Sequence, residues 1–223
     1  MRPTASDGGR PHRLRRGTAE RREEILRAAI RTFGSKGYHN GSLTEVAEQV
    51  GMTHAGVLHH FGSKNQLLIA TLQFRDRVDV EHLEGKHIPG GRDLFRHLVK
   101  TAEINAERRG IVQAYAVLTG ESVTEGHPAS GWARGRFATL RREIADALRE
   151  LISEVTDNPV DDDLVDGVVT RAASAIIGVM DGLQSQWLLD PGALDLAEST
   201  AFAIDAIVAR TVATATTPLT PPY

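Results

Sequence analysis

Between Gly51 and Gly62 lie Thr53, His54, Ala55, Gly56, His59 and His60, hydroxyl and imidazole side chains interleaved with very small residues. Nothing here is arranged to break a covalent bond. The chain has no nucleophile elbow, no glycine-rich phosphate loop and no matched acid–base pair. The chemistry of this stretch is hydrogen bonding at close range: Thr53 and His54 can reach base edges, while Ala55 and Gly56 let a helix backbone approach a groove. Nine histidines raise metal ligation as a rival chemistry. There is no H-E-x-x-H, and the adjacent His59 and His60 point to different faces of a helix. His82 and His87 stand five apart near a proline–glycine break, with Glu81 and Glu84 close by. With no cysteine in 223 residues, thiolate sites and disulfides are excluded. The sequence predicts no metal, no cofactor and no enzyme.

Such side chains need a frame, and Ser42 to Phe61, SLTEVAEQVGMTHAGVLHHF, supplies a helix-turn-helix. Ala47 is small where two helices cross, Gly51 suits the left-handed residue after a helix, and Val57 is the apolar pin of the second helix. Ser42-Leu43-Thr44-Glu45 has the form of a capping box, and Thr53 or His54 opens the recognition helix. Ser42, Thr44, His60 and Lys64 are then candidates for phosphate, beside the helix N-terminal amides. A preceding helix is capped by Thr18, carries Ile25, Leu26, Ala29, Ile30 and Phe33 on one face, and ends at Gly34 and Gly37. Ser63-Lys64-Asn65-Gln66 is a second capping box, opening a longer helix through Leu72 and Phe74. Residues 1–17, with five arginines and little apolar content, are expected to be a disordered basic arm.

Beyond Gly90-Gly91 the spacing of apolar residues stays helical, with no strand alternation and no repeat. Helices are expected around Leu94–Ala102, Ile111–Leu118, Ala129–Val155, 162–189 and Leu194–Arg210. Asn158-Pro159 and the acidic residues from Asp161 to Asp166 divide the third from the fourth. The chain is predicted to be all-α: a basic arm at 1–17, a three-helix DNA-binding head at 18–64, a larger helical domain at 65–212, and a loose tail at 213–223. Up to Lys64 there are eleven Lys and Arg against six Asp and Glu; beyond it, fifteen against twenty-three. The basic front is the part suited to a polyanion. His97, Tyr115, Trp132, Phe137, Gln184 and Trp187 are large groups, most with a polar tip, and are candidate pocket residues on the middle helices. Ala175, Gly178 and Gly182 form a small-residue stripe, fit either for a two-fold dimer contact or for packing within the chain. No apolar run approaches the roughly 20 residues of a membrane span, and the N-terminus lacks a signal-peptide core. A cytoplasmic location is expected.

From Arg21 to Leu72 the residues resemble the TetR family of bacterial repressors. The helix-one IL-x-AA-x-x-x-F pattern, Gly37, Val46-Ala47, Gly51 and the HHF-x-SK run at 59–64 carry the likeness. The resemblance implies an all-helical homodimer that binds operator DNA and is released by a small-molecule effector, with 65–212 as the effector-binding and dimerisation domain. One position departs from the pattern. Leu58 stands where the family usually has a tyrosine that touches phosphate, and leucine cannot make that hydrogen bond, so it is either absent or made by a neighbour. A TetR-like activator, or a helical small-molecule binding protein with a vestigial head, remain the alternatives, the latter supported by Leu58 and by the scarcity of arginine on the recognition face.

Overall fold

The computed structural model describes residues 10–80, 88–155 and 162–216, with side chains from residue 17 onward. The first nine residues of the expected arm, the group at Glu81–His87, the Asn158-Pro159-Asp161 junction and the tail from Thr217 lie outside the described residues. Among the described residues there are nine helices and no strand.

Helix α1 runs Arg10–Asn40, which corrects two expectations at once. It begins eight residues before Thr18, so residues 10–17 are helical rather than part of a disordered arm. Pro11 falls in the first turn, where a missing N–H costs nothing, and arginine and leucine are good helix formers. At its other end the helix passes through Gly34 and is interrupted only at Gly37 (φ 71°, ψ 177°), with one more turn to Asn40. Helices α2 (Leu43–Gln49) and α3 (His54–Phe61) follow, joined by a turn with Gly51 at φ 63°. Ser42 Oγ accepts from the Thr44 N–H at 3.0 Å, and Glu45 Oε2 accepts from the Ser42 N–H at 3.4 Å, which closes the capping box. Thr53 Oγ1 caps α3 by accepting from the Gly56 N–H at 3.1 Å. Helix α4 (Lys64–Val80) opens with Ser63 Oγ accepting from the Gln66 N–H at 3.1 Å.

Ile25, Phe33, Val46, Val57, Leu67 and Leu68, all buried, form the centre of the first core. The expected pins, Ala47 and Val57, are among the residues that close it. The remaining helices are α5 (Gly91–Ala106), α6 (Arg109–Glu121), α7 (Ser130–Val155), α8 (Asp162–Leu189) and α9 (Leu196–Thr216). A second core, with Leu94, Ile144, Leu148, Val169, Ile176 and Ile204 fully or nearly fully buried, fastens α5, α7, α8 and α9 together. Helix α9 extends past the expected end at Arg210, so residues 213–216 belong to it. The Thr211, Thr214 and Thr216 hydroxyls donate back to carbonyls four residues earlier. The next proline is Pro218, whose ring disfavours helix in the residue before it.

Helix α6 belongs to both halves. Its Ala114 and Leu118 join the first core, and a Cβ added at Gly34 would lie 3.1 Å from the Ala114 Cα, so α1 and α6 meet backbone to backbone. Three residues further along α1, the Gly37 kink is held by Glu121 at the end of α6, whose Oε2 accepts from the Tyr38 N–H at 2.7 Å.

The Gly37 backbone occupies a region that is essentially glycine-only, and an added Cβ would overlap the Glu121 carboxylate at 2.0 Å. Gly37→Ala and Gly37→Asn are both expected to destabilise the chain by about 1–3 kcal/mol in urea unfolding. Asparagine should give no rescue, as it would at an ordinary left-handed cap; a stable Gly37→Asn protein would show that the kink is not required.

Candidate functional site

The turn and caps described above leave one face of α3 open. Thr53, His54, Ala55 and His59 are exposed, Gly56 and His60 are half-buried, and Val57 and Phe61 face the core. The capping bonds restrict what the hydroxyls can do. Thr53 Oγ1 and Ser42 Oγ each already accept one backbone N–H, so each has its proton left to donate. Thr44 is exposed at the start of α2. Beside the close approach expected of it, Gly56 makes room within the chain: an added Cβ would meet Met52 Cε at 3.0 Å.

Burial foremost, with His59, Arg22 and Arg21 nearby, holds the His60 imidazole below the ordinary histidine value. The shift favours the neutral ring, which offers one N–H. Arg22, which sequence reasoning passed over, reaches from α1 to donate to the His60 carbonyl and lies 4.2 Å over the Phe61 ring. It fixes the end of the recognition helix. Lys64 is not a free cation: its Nζ donates to the His39 carbonyl at 3.2 Å and sits 4.5 Å over the Tyr38 ring. Leu58 packs against the first core, a place that suits an apolar side chain.

A cavity of about 120 Å³ lies in the second half, bounded by α4, α5, α7 and α8, with Tyr115 of α6. Three of the six expected pocket residues line it: His97, Tyr115 and Gln184. The other three do not. On α7 the lining face is Arg136, Leu140 and Ile144, spaced by four; Phe137 is one position, roughly 100°, off it. Trp132 keeps that phase but lies one turn higher, against the first core. Trp187 is taken up by a small cluster with Ala102, Val112 and Leu196, and the Arg109 guanidinium lies 5.8 Å from its ring centroid.

Most of the polar wall lies outside what the sequence predicts. Arg75 Nη1 pairs with Asp79 at 2.7 Å and Asp76 at 3.3 Å, Arg136 Nη1 with Asp76 at 2.6 Å, and Arg108 Nη2 with Asp79 at 3.0 Å. Arg108 Nη2 also donates to Asn105 Oδ1 at 2.9 Å, and the Arg75 guanidinium lies 4.2 Å over the Tyr115 ring. Burial pushes the Asp181 carboxyl up, against the Tyr115 hydrogen bond and the nearby Arg136 and Arg75. Burial likewise raises the Tyr115 hydroxyl. The signal in the sequence is the R-D-x-x-D spacing at 75–79, which puts Arg75 and Asp79 one turn apart on a helix that is mostly apolar from Leu67 to Phe74.

On α8, Ala175, Gly178 and Gly182 are exposed, and nothing lies within 4 Å of a Cβ added at either glycine. The stripe is therefore not used for packing within the chain. Leu189 on the same helix and Phe202 on α9 are 88% and 79% exposed.

A sequence profile described as bacterial regulatory proteins, tetR family, matches residues 25–71, the stretch from α1 into α4. The transcriptional regulator AcrR of Shigella flexneri is 26% identical over 186 residues, spanning 79% of this chain and 82% of that protein. Among solved structures, a TetR-family transcriptional regulator from Rhodococcus sp. superposes with a TM-score of 0.66 at 24% identity, covering 85% of this chain and 99% of that one. A transcriptional regulator from Saccharomonospora viridis, solved in complex with choline, gives a TM-score of 0.63 at 22% identity over 85% and 96% of the two chains.

The Arg75 and Asp79 side chains are only 5% and 10% exposed, whereas Arg92 and Glu154, 2.7 Å apart, are both more than half exposed. Asp79→Asn leaves two buried guanidiniums undercompensated and is expected to cost about 3–5 kcal/mol of unfolding free energy. Glu154→Gln should cost less than about 1 kcal/mol. Comparable losses for the two in chemical unfolding would show that the buried network carries no special weight.

Proposed function

The chain is a TetR-family transcriptional regulator, and from that premise we propose that it grips operator DNA as a homodimer and lets go when a small molecule fills the cavity beside α4. The observation that carries this is the course of α4. It opens at Lys64, directly after the recognition helix closes at Phe61, and its far end places Arg75, Asp76 and Asp79 in the cavity wall. A ligand that changes the partners of those three residues changes the tilt of α4, and with it the separation of two recognition helices in a dimer. Half-sites lie about 34–36 Å apart, or at multiples of that spacing, so a modest misfit loses both. A coupling of about 1–3 kcal/mol is enough to weaken DNA binding several-fold, and DNA must weaken the ligand by the same factor.

On the DNA side, Thr53, His54 and His59 would face base edges, with Ala55 and Gly56 giving close approach. Ser42, Thr44, His60 and Lys64 would serve phosphate, Lys64 by exchanging its bond to the His39 carbonyl. Residues 10–17 extend α1 with four arginines, Arg10, Arg13, Arg15 and Arg16, which suits them to the duplex backbone. The dimer would form across Ala175, Gly178 and Gly182, where two copies of α8 can approach closely, with Leu189 and Phe202 as apolar surface for the same contact.

Selection of bound duplexes from random DNA, followed by anisotropy titration at several salt concentrations, tests the reading. An inverted-repeat site bound with a steep salt dependence supports it; retention of no duplex at any salt leaves a ligand-binding protein with a vestigial head. Deleting residues 1–17 is expected to weaken all sequences alike and to flatten the log–log salt slope by about 0.9 for each phosphate that the arm neutralises. An unchanged slope would remove the arm from the interface. Gly178→Arg should give a folded monomer in sedimentation velocity with much weaker operator binding, since a Cβ added there has no atom of its own chain within 4 Å. A dimer that persists in that variant would place the interface elsewhere.

A further inference from the structure

Taking the cavity as the effector site proposed above, we infer that its ligand is a compact organic acid: a carboxylate on a small apolar body. The wall has hydrogen-bond donors to spare. Asn105 is 1% exposed, and its Oδ1 accepts from Arg108 Nη2 at 2.9 Å. A guanidinium only donates, so this bond fixes the orientation of the amide and leaves Nδ2 as the free end. That Nδ2 is buried with no partner, as are Arg75 Nε and Arg136 Nε. On the acceptor side of the cavity the corresponding atom is Gln184 Oε1. An unmatched buried donor costs about 1–3 kcal/mol, and a carboxylate, which only accepts, brings about four lone-pair sites with which to answer one.

The ion pairs do not use these donors up. Arg75 and Arg136 line the cavity, Arg108 stands behind Asn105, and Asp76 and Asp79 are each already shared between two of the three guanidiniums. Asp181, the third carboxyl of the lining, is engaged by the Tyr115 hydroxyl. A bound cation would leave the donors unanswered. The rest of the lining, including Leu140, Ile144, Ile177 and Met180, is apolar and suits the body of the molecule rather than a second charge. An acid bound here competes with Asp76 for Arg136 and Arg75, and so acts on the pairs that tie α4 to α7.

The test uses the full chain without DNA in isothermal titration calorimetry, with benzoate and hexanoate against benzamide, hexanamide and hexylammonium. The acids are expected to bind about 10- to 100-fold more tightly than their amides, the range for a hydrogen bond to a charged group. Asn105→Asp keeps the acceptor for Arg108 and replaces the Nδ2 donor with a carboxylate oxygen. It should lose the acids by at least that factor and gain hexylammonium, with its fold checked by circular dichroism. Amide or ammonium binding the native chain as tightly as the acids overturns the inference. So does a cavity that takes none of the five probes and holds water alone, or undiminished acid binding by Asn105→Asp. Acids that bind while operator affinity stays unchanged uphold the ligand class and sink the release mechanism; release by a non-acidic compound, with no acid bound, does the reverse.

Discussion

Asp76 and Asp79 are carboxylates held largely out of water by guanidiniums from α4, from the start of α6 and from α7. Taking each ion out of water costs several kcal/mol even after relaxation, and the cost is offset only while every partner stays within hydrogen-bonding reach. A helix in the set that moves beyond hydrogen-bonding reach leaves a charge without its partner. The far end of α4 is therefore held by a discrete set of bonds rather than by a graded apolar slope. That is the property a connector needs if it is to have two positions instead of a continuum. The apolar cores on either side supply stability, but the polar joint decides how the two halves sit.

What the sequence makes legible depends on the range of the interactions. The Ser42 capping box, the Thr53 cap, the Gly51 turn and the Val57 pin can all be read from it, because each is settled within four or five residues of backbone geometry. The heptad-like spacing along α7 likewise gives the length of that helix. Phase and continuation are harder. Phe137 and Trp132 sit on the same helix as Arg136, yet only Arg136 faces the cavity, since a single residue turns the face by about 100°. A good capping residue, Thr18, suggests a start for α1, and the helix goes past it because nothing upstream forbids helix: Pro11 lies where proline is tolerated.

The polar wall is hidden for a different reason. Arg75, Asp76, Asp79, Arg108 and Arg136 look like surface charges when taken singly, and charged residues are seldom buried unless paired. Their burial depends on three helices meeting, which no local pattern encodes. By contrast three of the histidines, whose number suggests ligands, occupy separate surroundings: His60 beside Arg22, His97 in the cavity, and His127 beside Glu121 and Tyr38.

The crossing of α1 and α6 at Gly34 and Ala114 has a mechanical side. With an added Cβ only 3.1 Å from the facing backbone, the two helices have no layer of side chains between them to shear. Sliding one along the other would drive the next, larger residues into the contact, Phe33 and Leu118 among them, whereas turning about the point of contact moves the ends and leaves the contact itself intact. The pair behaves as a fulcrum. In the proposed release the three-helix head would be one arm of a rocker pivoting there, and α4, fastened at its distal end to the other half, the rod that sets the angle.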